Sequence, residues 1–285
     1  MKTYPPVPPV EDAPADLFEG HLWIQEKVDG AHLRFRLTDA GVLRFGTRDG
    51  RLDAADVPPG YRHAVRHVRE RLDREALRAA VGDVGSVVFF GEATRRETLE
   101  YDWARLPSYL GFDVWDGARG RFLPPDAVER TLRELGLDPV NAFEKEVDGA
   151  YFDPEAYAIP DSAWRDGPPE GVVIRSKTGE RAQLRHPAFD PDSDPDPDPD
   201  PGPGDPDEVA PSELARRHAT ADRVERVAAA LRDGGRGVTF DALFERVLDA
   251  AYRVAHRQLP DDPESRQAFR SEVAALTRAH LDGGG

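Results

Sequence analysis

The chain has 285 residues, which is enough for one large domain or two modest ones with a buried core. It has no cysteine, which excludes disulfide bonds, thiolate catalysis and cysteine-bound zinc. The formal net charge at pH 7 is -16, and only four of the 38 basic residues are lysines. This acidic, arginine-rich composition is typical of a halophilic protein adapted to molar salt. Since such salt screens repulsion between exposed charges, the acidity does not exclude a nucleic-acid partner.

The chain shows no signal for a membrane. It has no run of 18 apolar residues, and its first residues are proline-rich and acidic rather than a charged segment followed by an apolar one. The composition predicts a soluble, cytoplasmic protein. Residues 1–20 are predicted to form an irregular lead-in because of their prolines.

Strands and helices are mixed in the first two thirds of the chain. Alternating or fully apolar runs predict strands at residues 22–24, 33–37, 41–49, 87–90 and 108–114, and a hairpin at residues 171–176 and 181–185. Apolar residues at helical spacing predict helices over residues 61–81 and 126–136. Because regular β-α-β alternation is missing, the pattern favours an α+β fold.

The clearest boundary is the alternating Asp and Pro run at residues 190–208. Such a run neither buries apolar surface nor forms a helix, so it predicts an extended linker. The residues after it predict helices over 212–232 and 239–259 and a third that begins at Asp262 and Pro263. We therefore expect a domain at 1–189, a linker at 190–210 and an all-helical C-terminal domain at 211–285.

The stretch from Lys27 to Gly30 reads Lys-Val-Asp-Gly and lies between two predicted strands. A lysine amine is a nucleophile once it is deprotonated, which requires a desolvated pocket or neighbouring cations to lower its pKa. A surface lysine in a polar turn is the alternative. The scarcity of lysine in this chain favours the chemical role, since arginine is the usual exposed cation.

Further short motifs follow Lys27 in a fixed order. These are Thr47-Arg48, Phe-Phe-Gly-Glu ending at Glu92, Phe112 in a strand, Glu170 to Arg175, and Gln183 to Arg185. Together they resemble the covalent nucleotidyltransferases, the superfamily of ATP-dependent ligases and mRNA capping enzymes. The resemblance spans residues 24–189 and implies a nucleotidyltransferase domain of antiparallel sheets with flanking helices.

The resemblance implies a role for each motif residue. Lys27 is expected to attack the α-phosphate of ATP, expelling pyrophosphate and leaving lysyl-AMP. Glu26 and Phe112 would seat and stack the adenine, while Arg48 would hold the ribose or the incoming 5′-phosphate. Glu170 is the expected carboxylate ligand of Mg²⁺ or Mn²⁺, and Glu92 would contact the ribose of ATP or the same metal site. Arg175 and Arg185 are expected to face the phosphates and to assist catalysis, because fixed cations stabilise the charge that develops on phosphate oxygens.

Details within the superfamily favour the RNA-editing-ligase branch. That branch carries a polar residue for RNA end joining two positions after the glycine, which is His32 here, and helices rather than a β-barrel after the last motif. The last family motif is Lys-x-Lys, whereas this chain has Gln183 and Arg185. Arginine keeps one charge with different geometry, and glutamine loses the other, which predicts slower transfer chemistry.

These inferences predict an ATP-dependent RNA ligase that joins a 3′-hydroxyl to a 5′-phosphate through lysyl-AMP and RNA-adenylate. Its expected partner is RNA with such ends, including a nicked duplex. Two alternatives stay open: a ligase for DNA or mixed nicks, and a nucleic-acid-binding pseudo-ligase in which the Gln183 change has ended catalysis. A protein partner for the helical tail is compatible with each of them.

Overall fold

The computed structural model describes residues 1–189 and 209–283, and the predicted Asp and Pro linker run at 190–208 lies outside them. Contacts between Cα atoms divide the chain into two compact units. The first contains all nine strands of the described residues, and the second contains the four C-terminal helices. The predicted α+β class is confirmed, with antiparallel sheets and a helical C-terminal region.

A four-stranded antiparallel sheet carries the lysine turn. Its strand order is β7-β1-β8-β9, with β1 at His21–Lys27, β7 at Ala142–Asp148, β8 at Gly171–Ser176 and β9 at Arg181–Arg185. The predicted β8-β9 hairpin is confirmed at its exact bounds. Strand β7 was not predicted, because only three of its seven residues are apolar and its side chains are half-buried or exposed.

A second antiparallel sheet has five strands in the order β3-β2-β4-β5-β6. These strands are β2 at Ala31–Leu37, β3 at Leu43–Gly46, β4 at Val87–Ala93, β5 at Tyr109–Asp116 and β6 at Arg121–Phe122. Phe35 stacks on Phe89 with ring centroids 4.8 Å apart, and Tyr109 meets Phe35 edge-on. All three side chains are fully buried, so this aromatic group is the core of one face of the sheet.

Three helices accompany the sheets: α1 at Pro59–Arg71, α2 at Arg74–Ala80 and α3 at Pro125–Glu134. The prediction of one helix over residues 61–81 is wrong, because the chain starts a new helix at Asp73. The Asp73 carboxylate accepts hydrogen bonds from the backbone N–H groups of Glu75 and Ala76, at 3.0 and 2.8 Å. An aspartate satisfies free amides at a helix start, so local capping outweighed continuous apolar spacing here.

The C-terminal unit contains α4 at Pro211–His218, α5 at Ala221–Asp233, α6 at Phe240–Ala255 and α7 at Pro263–Gly283. The predicted helix over 212–232 is therefore two helices, because the Thr220 hydroxyl caps α5. Their apolar sides share one buried core that includes Leu214, Leu231, Leu248 and Phe269. Among the described residues, none of the helices has the length and apolar character needed to cross a bilayer.

Candidate active site

Lys27 is the last residue of β1, and β2 begins four residues later at Ala31. It lies directly opposite Gly171 of β8, and Gly171 lies opposite Arg185 of β9. Glu170 immediately precedes Gly171, and its carboxylate forms an ion pair with the Lys27 amine. The two side chains are 22% and 19% exposed, so the pair is reachable by a ligand.

The turn after Lys27 is fixed by contacts with distant parts of the chain. One carboxylate oxygen of Asp29 accepts hydrogen bonds from the backbone N–H groups of Thr98 and Leu99, at 2.6 and 2.7 Å. The Asp29 backbone N–H donates to the Tyr101 hydroxyl at 2.9 Å. A Cβ atom on Gly30 would lie 2.8 Å from the carbonyl oxygen of Ala93, so only glycine fits. The Asp-Gly pair therefore sets the position of the lysine.

Glu92 lies on β4, directly opposite His32 of β2. The pKa of the Glu92 carboxyl is raised to about 8, chiefly by burial and also by the negative charges of Glu170 and Asp29, against the opposing effects of Lys27 and Arg48. Burial also lowers the pKa of His32 to about 4, assisted by the positive charges of Arg48 and Arg34. Arg48 itself is exposed in the turn after β3.

Glu26 faces away from this cluster and is 2% exposed. Its carboxylate accepts hydrogen bonds from the Ser162 hydroxyl at 2.5 Å, the Asn141 amide at 3.1 Å and the Ala163 backbone N–H at 3.2 Å. Burial raises the pKa of Glu26, and these hydrogen bonds act in the opposite direction. In this conformation Glu26 holds the loop around Ser162 against β1.

Phe112 lies at an irregular register position of β5 and is half-buried. The next residue, Asp113, is fully buried and forms ion pairs with Arg175 at 3.0 Å and Arg181 at 2.8 Å. Arg175 also donates to the Phe112 carbonyl oxygen. These contacts differ from the expected phosphate contact of Arg175, which lies opposite Trp23, about 13 Å along β1 from Lys27. Arg175 is 2% exposed and acts on the site through the Phe112 backbone.

The N-terminal residues complete this side of the site. The Tyr4 hydroxyl donates to Asp113 at 3.0 Å, and its ring meets Phe112 edge-on with centroids 5.0 Å apart. The Gln183 side-chain amide donates to the Val7 carbonyl oxygen at 3.0 Å, and its backbone N–H donates to Pro8 at 2.8 Å. Gln183 thus has a structural contact in place of the family lysine. Residues 1–9 are called the N-terminal strap below.

The structure brings Lys27, Glu170 and Glu92 together, with His32 and Arg48 beside Glu92 and Arg185 at the level of Lys27. It places Glu26 and Arg175 in buried contacts instead. Within residues 1–189 and 209–283, no cluster of three or more histidine, aspartate or glutamate side chains is arranged to hold a metal ion. A metal at Glu170 and Glu92 would need further ligands from a bound nucleotide or water.

Sequence reasoning missed Tyr4, Asp113 and Arg181, and it gave Asp29 no role beyond its place in the lysine motif. Asp113 had a visible signal, because it is the one charged residue in the run Tyr109 to Trp115. A carboxylate inside an apolar strand needs a cationic partner when it is buried. Tyr4 had no such signal, since it lies in a proline-rich segment that was predicted to be irregular.

The fold and the lysine turn define a domain of the nucleotidyltransferase type found in RNA ligases. The chain belongs to the RNA ligase family, whose family model matches residues 20–188. The comparison with curated proteins gives no match. The finer assignment to the editing-ligase branch rests on the sequence motifs alone.

Solved structures of RNA ligases are similar to this chain at low sequence identity. The RNA ligase of Naegleria gruberi with pyrophosphate has 16% identity and a TM-score of 0.52, over 66% of this chain and 57% of its own. A mutant of that ligase with ATP and manganese has 15% identity and a TM-score of 0.50 over the same shares. An archaeal ATP-dependent RNA ligase has 17% identity and a TM-score of 0.49, over 99% of this chain and 66% of its own. The chain thus spans 57% of the length of the Naegleria structures.

Proposed function

We propose that this protein is an ATP-dependent RNA ligase that uses Lys27 as its nucleophile. The observation that carries the proposal is the position of Lys27, in a half-buried ion pair with Glu170 at the ends of two adjacent strands. The family match over residues 20–188 supports the reaction class. The two Naegleria gruberi structures, with pyrophosphate and with ATP and manganese, support ATP and a divalent metal as the reactants to test.

In the proposed first step, the Lys27 amine forms a bond to the α-phosphorus of ATP. The bond from that phosphorus to the bridging oxygen breaks, pyrophosphate leaves, and the amine gives up its proton. An amine held by a carboxylate is a poor nucleophile, so the ion pair with Glu170 must open first. AMP then passes to an RNA 5′-phosphate, and a 3′-hydroxyl displaces it to seal the strands.

The carboxylates beside Lys27 fit a divalent cation. Burial, and to a lesser extent the negative charges of Glu170 and Asp29, raises the pKa of Glu92, so these carboxyl groups lie close enough to interact. A bound Mg²⁺ or Mn²⁺ would relieve that repulsion and, by engaging Glu170, would free the lysine amine. Such a cation would also stabilise negative charge on the phosphate oxygens. We propose Glu170 and Glu92 as its protein ligands, and Phe112 and Arg48 as contacts of the nucleotide.

The test is labelling of the protein with α-labelled ATP and, separately, α-labelled GTP in the presence of magnesium or manganese. We expect acid-labile label from ATP that disappears in Lys27→Ala. The matched controls are Lys145→Ala and Lys177→Ala, which also break lysine ion pairs, with Glu129 and Glu146. Label that persists in Lys27→Ala, or its absence from the folded wild-type protein, would refute the proposal.

The second arm asks which ends are joined. We expect sealing of a nicked RNA duplex to exceed sealing of the same nick in DNA. Equal or greater activity on DNA would assign the chain to the nick-ligase alternative while leaving the Lys27 chemistry intact.

A further inference from the structure

Four arginines share one face at the edge of the five-stranded sheet, and a fifth lies in the adjoining turn. Arg34 and Arg36 are alternate residues of β2, so their side chains point to the same side. Arg36 lies opposite Arg44 of β3, and Arg34 lies opposite Gly46, which is bridged in turn to Arg51. Arg48 lies in the turn between Gly46 and Arg51. We call the following five residues the arginine strip: Arg34, Arg36, Arg44, Arg48 and Arg51.

The strip lacks an anionic partner. Within the described ranges 1–189 and 209–283, no strip arginine forms an ion pair with an aspartate or glutamate. Arg34 and Arg36 each donate one hydrogen bond to a backbone carbonyl, of Lys2 at 2.9 Å and of Gly85 at 3.1 Å. Their Nε atoms are buried without a hydrogen-bond partner. Arg44, Arg48 and Arg51 are exposed, so their donors and charge are available on this face.

Several other arginines of the same unit are paired with carboxylates. Arg119 pairs with Asp116 and Arg133 with Glu129, although both lie on exposed surface. The strip instead places Arg36 and Arg44 directly opposite each other, an arrangement that destabilises a sheet because like charges repel. Arg34 is 6% exposed, so its charge is also partly desolvated. An anionic ligand would offset both costs.

We propose that the arginine strip binds the ribose-phosphate backbone of the RNA strand that carries the 5′-phosphate. This inference rests on the proposed function and extends it beyond the reacting end. Arg48 and His32 lie near Glu92. Arg36 lies four residues after His32 on β2, so the two residues are about 13 Å apart along the strand. That length is enough for several phosphates of one strand. Guanidinium contacts of this kind fix the strand without reading its sequence.

The test uses two double variants. The strip variant combines Arg36→Gln and Arg44→Gln, and the control variant combines Arg130→Gln and Arg133→Gln on α3. Both remove two positive charges. Binding of a 5′-phosphorylated oligoribonucleotide and of a 5′-phosphorylated dinucleotide is measured by titration over a series of salt concentrations. Self-labelling with α-labelled ATP is measured in parallel. Arg44→Gln alone, at an exposed position, is the second variant should the double variant not fold.

We expect the strip variant to bind the oligoribonucleotide about tenfold more weakly at low salt, with a salt slope smaller by about 1.4, since each phosphate contact on a single strand contributes about 0.7. Dinucleotide binding and self-labelling should match the control, because neither reaches Arg36 and Arg44.

Equal oligoribonucleotide affinity and slope in strip and control variants would overturn the proposal. Loss of self-labelling in the folded strip variant would also overturn it, by assigning the strip to the nucleotide step. If RNA binding depends on the strip but Lys27 is never labelled, the proposed function is refuted and the RNA-binding role of the strip stands. Label on Lys27 with no effect of the strip would do the reverse.

Discussion

The ion pair between Lys27 and Glu170 links the proposed nucleophile to the proposed metal site. A carboxylate that holds an ammonium group keeps it from reacting, whereas a divalent cation competes for the same carboxylate oxygens. The Asp29 contacts with Thr98 and Leu99 would keep the lysine turn in place during such an exchange. The charge state of the residues around Lys27 is therefore as important as their identity.

His32 gives the residue-scale prediction, which concerns pH. Its pKa in the folded protein is lowered from 6.5 to about 4, chiefly by burial. In the unfolded chain His32 binds a proton below about pH 6.5, whereas in the folded protein it binds one only near pH 4. This residue therefore costs stability as the pH falls through that interval, and above pH 6.5 it has no such effect.

The measurement is the free energy of unfolding of wild type and His32→Gln from pH 8 to pH 4, by denaturant titration. Glutamine does not titrate, so the difference between the proteins should be constant above pH 6.5 and should shift in favour of the variant below it. All other titrating groups cancel in this difference. Parallel curves across the whole range would contradict the lowered pKa.

At the scale of elements, the N-terminal strap connects the two sheets of the first unit. Tyr4 donates to Asp113 of β5, and the Val7 and Pro8 carbonyls accept from Gln183 of β9. The Arg181 guanidinium lies over the Tyr4 ring, 4.9 Å from its centroid. The strap therefore contacts Phe112 through the Tyr4 ring and joins it to the buried Asp113 and Arg181.

Gln183→Ala should weaken the strap and lower the free energy of unfolding by about 1 kcal/mol, the usual net contribution of one hydrogen bond. The control is Gln267→Ala on α7, whose amide donates to the exposed Ser271 hydroxyl. Chemical denaturation followed by tryptophan fluorescence measures each effect. Equal free energies of unfolding for Gln183→Ala and wild type would show that the Gln183 side chain does not stabilise the strap.

At the scale of the whole molecule, the net charge of -16 affects stability through repulsion between like charges. Self-repulsion opposes folding, and 1 M salt reduces the screening length to about 3 Å. We expect the apparent Tm at pH 7.5 to rise between 0.1 and 1 M KCl, by about 2 to 4 °C for each kcal/mol of repulsion removed.

The control for this prediction is the same KCl series near pH 5, because the isoelectric point from the sequence is close to 5.0. With little net charge left, the rise in Tm should shrink. A rise of equal size at both pH values would assign the effect to general salt action on apolar surface instead of screening.

The sequence by itself determined the local elements and the chemistry of the lysine turn. Apolar runs and turn residues located β1, β2, β4, β5 and the β8-β9 hairpin, because these patterns depend on neighbours along the chain. The order of the motifs around Lys27 indicated the family. The capping residues Asp73 and Thr220 are also local signals. Each begins a new helix inside a predicted one, and the prediction followed the apolar spacing alone.

Only the tertiary structure decided which side chains meet across the first unit. Tyr4 and Asp113 are 109 positions apart, and Glu26 and Ser162 are 136 apart. No periodicity records such a pairing, since it depends on how two sheets are brought together. For the same reason the arginine strip became visible only through strand register, which places Arg36 opposite Arg44 and Arg34 in line with Arg51. Distances along the chain specified the motifs, and distances in space specified the site.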